Sequence, residues 1–153
     1  MLAALLTLSD GVVPLTYFVL DGHFGNHNAV QMARQSNLHL ISKLRCDAAL
    51  YFPYAGPYAG RGSRRNYGRR VDYANMPAQY LKETTVEGQI QTRVSQAHLL
   101  HKEFSQPLHV VIIVKTNLRT QAHAHVLLFS SDLELNSPTR HSWTITVCGF
   151  KSK

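Results

Sequence analysis

Apolar and polar positions change period twice in the first third of the chain. Residues 14–22, "PLTYFVLDG", form a short β-branched and aromatic run closed by Asp21 and Gly22, the pattern of a buried strand ending in a turn. In "FGNHNAVQMARQSN", Asn26 or Asn28 can cap a helix; Val30, Ala33 and Arg34 follow at helical spacing, and Asn37 stops it. "LHLISKL" at residues 38–44 returns to a strand pattern. Strand, helix and strand within about 30 residues predict a right-handed parallel crossover.

Past Pro53 the periodicity disappears. "YAGPYAGRGSRRNYGRRVDY" is rich in Gly, Tyr and Arg and reads as a loop or a loose hairpin. From Gln89 onward, "QIQTRVSQAHLLHKEF", "LHVVIIVKTN" and "HAHVLLFSS" predict three strands joined by short polar turns, most simply an antiparallel meander. The first of these also fits a helix, because Val94, Ala97, Leu100 and His101 recur near a 3.6-residue period. The fold class expected is therefore α/β at the start and α+β overall.

Composition narrows the function classes. At 153 residues with a 44% hydrophobic fraction, the chain has the length of one domain with its own core. Sixteen Lys and Arg against nine acidic residues give a net charge of +7, which favours anionic partners such as nucleic acid. Asp10 and Pro14 interrupt the opening apolar run, which has no basic flank or small-residue cleavage site, so a cytoplasmic location and no membrane partner are expected. Cys46 and Cys148 stand far apart with no CxxC spacing and predict neither a disulfide framework nor a zinc site.

Two segments carry candidate chemistry. Asp21 falls where a strand ends and a crossover begins, the edge at which open α/β sheets bind ligands and metals; a turn-forming or helix-capping Asp is the competing role. Arg61, Arg64, Arg65, Arg69 and Arg70 lie within ten residues, interleaved with Tyr54, Tyr58, Tyr67 and Tyr73. Arginine makes phosphate contacts and tyrosine stacks on exposed bases, so Arg61, Arg64, Arg65, Tyr67, Arg69 and Arg70 are the candidate DNA contacts, against a solvated loop with no ligand. His123 and His125 share one face of a predicted strand as metal ligands would, but no third ligand is near them in sequence, which favours a surface pair. "DGHFGN" contains no phosphate-binding glycine motif.

The stretches "YFVLDGHFGNHNAV", "LHLISKLRCDAALYFPY", "LHVVIIVKTN" and "HVLLFSSDLEL" closely resemble the DDE transposases of bacterial insertion sequences, from about Pro14 to Leu135. The resemblance is most specific at the strand ending in Asp-Gly-x-Phe. It implies a partial ribonuclease H-like core (strand, helix, strand) over residues 1–46 and a largely antiparallel β insertion over 47–135. It also implies that Asp21 is the second of three catalytic acids and a ligand of catalytic Mg²⁺ in the intact parent, where DNA is cut and joined. The family's first Asp and its final Glu, set in a Tyr-x-x-Arg-x-x-x-Glu motif, have no counterpart in this sequence. One acid of three does not hold the metal pair tightly, so the chain itself is expected to be an inactive fragment of such a transposase; the alternative is a non-catalytic basic DNA-binding module or an interfering subunit that associates with an intact transposase copy. Without the core's opening strand beside Asp21, marginal stability is expected as well.

The ending "RHSWTITVCGFKSK" fits this resemblance in another reading frame. Trp143 is encoded by TGG and Thr144 by ACN, so a frame starting on the last base of the Trp codon opens with Asp. The codons that follow allow "DYYSLRFQIE", which contains Tyr, two residues, Arg, three residues and Glu at the family spacing. Residues 136–153 are therefore expected to be an out-of-frame tail, with no function for Trp143 or Cys148.

Overall fold

The structure, a computed structural model, describes residues 16–22, 25–58, 60 and 62–134. Within them one short strand, β1 (Tyr17–Val19), leads through the Asp21 turn to a helix, α1 (His27–Gln35), and on to β2 (His39–Leu44). β1 and β2 pair in parallel, Phe18 opposite Leu40. Asn26 caps α1, its side-chain oxygen accepting from the Ala29 amide at 3.0 Å, so the first of the two Asn candidates is the cap. The helix ends at Ser36, and Asn37 follows at φ 55°, a left-handed position that Asn tolerates and that stops the helix. Ala29, Val30 and Ala33, at i, i+1 and i+4, form the stripe that packs on the sheet.

The remaining strands are β3 (Leu50–Pro53), β4 (Tyr67–Arg70), β5 (Leu81–Glu87), β6 (Ile90–His101), β7 (Leu108–Asn117) and β8 (His123–Ser130). All eight described strands belong to one mixed sheet in the order β1-β2-β8-β7-β6-β3-β4, with β5 paired to β6. The meander β6-β7-β8 is antiparallel throughout, and residues 90–101 are strand rather than helix. The cross-strand ladder from Ile90 to Leu99 against β7 outweighs the partial helical period. β3 and β4 turn the Gly, Tyr and Arg segment into a hairpin. Residues 81–87, "LKETTVE", form a strand the periodicity did not predict; Thr84, Thr85 and Val86 favour β structure, and Gly88 at φ 60° closes the turn to β6.

Burial follows register. Leu40, Ser42 and Leu44 on β2 face the same side as Val110, Ile112 and Val114 on β7 and Leu127 and Phe129 on β8, and this side carries α1. Val111, Ile113 and Leu128 point the other way and make a second, smaller cluster with Val94 and Val126. β7 is buried on both faces, which explains its unbroken "VVIIV". β2 lies against β8 from Ile41–Ser130 to Leu44–Leu127, so residues on either side of position 46 share a continuous sheet. β1 is an edge strand among the described residues. Tyr17 and Val19 are exposed there, a correction to the expectation of a buried strand: only one neighbour covers it. Among the described residues no helix is long and apolar enough to cross a membrane.

Candidate active-site edge and nucleic-acid interface

Parallel pairing puts the carboxyl ends of β1 and β2 at one edge of the sheet, where α1 begins. The Leu20 amide donates to the Ile41 carbonyl at 3.0 Å, carrying the pairing one residue beyond β1. Asp21 follows directly and is exposed; its Oδ1 accepts from the Gly22 amide at 2.6 Å. The buried Ser42 hydroxyl donates to the Asp21 carbonyl at 3.2 Å and ties the turn to β2. The chain then passes so close to β2 that a Cβ on Gly25 would lie 2.5 Å from the Lys43 carbonyl oxygen and 3.3 Å from Ser42 Oγ. The turn carrying Asp21 is therefore held by its backbone, and the carboxylate is left at the surface.

Beside this edge lies an open cleft of about 260 Å³ bounded by Gly25, Leu44, Arg45, Asp47, His101 and Glu103. Asp47 is engaged there by Arg45, whose Nε and Nη2 donate to its two oxygens at 3.0 and 2.9 Å. The Arg45 guanidinium holds the Asp47 carboxyl below the usual carboxylate range, although both side chains are exposed and the pair contributes little stability. Burial lowers the His101 imidazole, opposed by Glu103. No three His, Cys, Asp or Glu side chains among the described residues converge as a metal site. Asp21 thus stands exposed at the carboxyl edge of β1, outside any cluster of three or more such donors among the described residues.

The described arginines of the segment lie at the other end of the sheet order from β1, on the β3-β4 hairpin. Arg69 and Arg70 are exposed on β4, and Arg64 is exposed in the loop before it. Arg65 Nε donates to the Tyr67 carbonyl at 3.0 Å, and its Cζ sits 5.4 Å from the centre of the Tyr54 ring. Arg61 lies outside the described residues. The tyrosines are largely occupied by the protein. Tyr67 meets the Tyr51 ring edge-on at 5.5 Å, Tyr73 lies 4.9 Å from the His125 ring and donates to the Ala48 carbonyl, and Tyr58 donates to the Gly62 carbonyl at 2.8 Å. The hairpin is a basic surface on a base of packed aromatic rings.

His123 and His125 do share a face of β8, but His125 Nε2 is 2.7 Å from the Cys46 carbonyl oxygen and its ring lies against Tyr73, a packing role. Sequence reasoning missed a different polar cluster: His98, His109, Asp132 and Tyr17. Tyr17 donates to Asp132 Oδ2 at 2.8 Å, and His98 sits 3.3 Å from His109. The β6-β7 register sets His98 opposite His109, and the β1-β2-β8 pairing brings Tyr17 to Asp132, so sequence spacing shows neither contact. Trp143, Cys148 and the whole tail from 136 to 153 lie outside the described residues.

The family described as DDE superfamily endonuclease matches this chain over residues 2–107, more than half its length, and the chain belongs to that family. The match begins before Pro14 and ends before β7, so its limits differ from those of the resemblance read from the sequence. Comparison with curated proteins and with solved structures returned no match.

Proposed function

We propose that this chain is a fragment of a DDE transposase of the insertion-sequence type that binds DNA and does not cut it. Residues 1–46 are part of a ribonuclease H-like core, residues 47–135 are a β-rich insertion joined to it through β2 and β8, and residues 136–153 are the Tyr-x-x-Arg-x-x-x-Glu helix of the parent translated out of frame. The observation that carries this reading is the β1-α1-β2 crossover in a DDE-family chain, with Asp21 at its carboxyl edge. In the parent, Asp21 would contribute one carboxylate to the Mg²⁺ ions that activate and stabilise the oxygens of phosphodiester cleavage and strand transfer. In this chain Asp21 belongs to no cluster of three metal-ligating side chains among the described residues, so no catalytic step is assigned to it.

The basic hairpin supports the DNA-binding half of the proposal. Arg64, Arg65, Arg69 and Arg70, with Arg61 in the same loop, supply phosphate contacts, and Tyr67 sets the hairpin's shape. Such a module can compete for transposon ends or associate with an intact transposase copy. Incubation of the purified chain with supercoiled plasmid and Mg²⁺ tests the claim of inactivity. No nicking is expected, and nicking that disappears in Asp21→Ala would overturn it.

A further inference from the structure

Beneath the basic hairpin lies an open slot of about 230 Å³ lined by Phe52, Arg69, Arg70, Asp72, Asn75, Pro77, Gln79 and Tyr80. Its floor is planar and apolar: the Phe52 and Tyr80 rings stack with centroids 5.3 Å apart and an angle of 25°, and Pro77 flanks them. Both rings rest on the main core, which fixes their orientation. Its rim is cationic, because Arg69 and Arg70 are exposed and make no hydrogen bond or ion pair among the described residues. Asn75 Nδ2 donates to Asp72 Oδ2 at 2.9 Å, which leaves the Asn75 amide oxygen free to accept, and Gln79 adds an exposed amide.

We propose that this slot takes a single unpaired nucleotide of DNA, its base added to the Phe52-Tyr80 stack, its edge met by Asn75 and Gln79, and its phosphates held by Arg69 and Arg70. The chemistry of the lining favours this occupant over the simpler alternatives. Duplex DNA presents phosphates and sugars to a protein surface, and these use the arginines but not two ring faces and a proline. An acidic peptide uses the rings only where it also carries an aromatic or proline side chain. A base has a π-face for the rings and polar edges for the amides, and the nucleotide's phosphates meet Arg69 and Arg70; the one carboxylate of the lining, Asp72, is taken up by the Ala74 amide and Asn75 Nδ2. The lining reaches over β3, β4 and the Ala78–Tyr80 turn, so the site exists only when the hairpin is folded onto the turn. This proposal rests on the reading that the basic hairpin binds DNA and adds which form of DNA its inner end selects.

The test uses the full chain and two probes of one sequence, a single-stranded DNA oligomer carrying 2-aminopurine and the same oligomer in a duplex, titrated at one salt concentration. The single strand is expected to bind about tenfold tighter than the duplex, with 2-aminopurine emission quenched by stacking. Tyr80→Leu removes the ring and keeps apolar bulk on the core; it is expected to abolish both the preference and the quenching while duplex affinity stays. Gln79→Ala, at an exposed position, serves if Tyr80→Leu does not fold, and is expected to weaken only the single strand. Equal affinity for the two probes, or an unchanged preference in these variants, overturns the slot and leaves the hairpin's DNA binding standing. Failure of both probes to bind overturns the slot together with the DNA-binding reading.

Discussion

His98 Nε2 lies 3.0 Å from the Leu133 carbonyl oxygen and 3.3 Å from His109 Nδ1, so one nitrogen faces two acceptors. A carbonyl oxygen only accepts, so His98 Nε2 carries the proton and His109 Nδ1 its lone pair. The neutral His109 then bears its hydrogen on Nε2, an atom buried without a hydrogen-bond partner among the described residues. Protonating His109 would bury a charge and set its new N–H against that of His98. Burial, then His98, and to a lesser degree Lys82 accordingly hold the His109 imidazole below its ordinary pKa, with Asp132 opposing.

This arrangement makes stability depend on pH. The unfolded chain takes up a proton on this residue near the usual imidazole value of about 6.5 while the native chain resists it. Stability is therefore full above that value and falls as pH drops below it. Urea unfolding at pH 7.5 and pH 5.0 is expected to give a lower midpoint at pH 5.0. His109→Phe is expected to shrink the difference, and not to remove it, because burial also lowers His101. An unchanged pH difference in the variant would count against this account.

Gly25 is required by space and not by backbone conformation. A methyl group there meets the Lys43 carbonyl at 2.5 Å, a backbone atom that cannot swing aside. Gly25→Ala is expected to cost about 1–3 kcal/mol, as overpacking does, and to shift the turn that carries Asp21. Gly88→Ala is the control: nothing lies near its Cβ position, and only its φ of 60° resists, so a cost of about 1 kcal/mol is expected. Denaturant unfolding of the two variants side by side decides the order.

Asn26 is both the cap of α1 and the first helical contact after the Asp21 turn. Asn26→Ala leaves the Ala29 amide without its acceptor and is expected to cost about 1 kcal/mol. Asn28→Ala, one residue inside the helix, is expected to be neutral or stabilising, since Ala is the better helix former. The reverse order in thermal melts would mean that the cap lies elsewhere.

Where side chains pack locally, the sequence was legible. The Val30 and Ala33 spacing, the Asn26 and Asn37 punctuation, and the continuous apolar run of β7 each encode an element by its own period. β5 was not legible, because it is exposed on most of its length and its "LKETTVE" has no apolar alternation; its pairing with β6 defines it. β1 read as buried because its residues are apolar, yet exposure depends on the neighbours a strand finds and not on its own composition. Asp21 was located by its turn. The slot at Phe52 and Tyr80 was hidden because those residues lie 28 positions apart and meet only when the hairpin folds back onto the turn.

The central claim, a basic DNA-binding hairpin on a DDE-family chain, is tested most directly by mobility shift of duplex DNA across a salt series. Four described arginines contacting phosphate predict that affinity falls by about two orders of magnitude between 50 and 200 mM salt. Replacing Arg64, Arg65, Arg69 and Arg70 by Ala is expected to flatten the logarithmic slope by about four, roughly one for each lost contact. Binding that ignores salt, or a slope unchanged in the quadruple variant, would contradict the account.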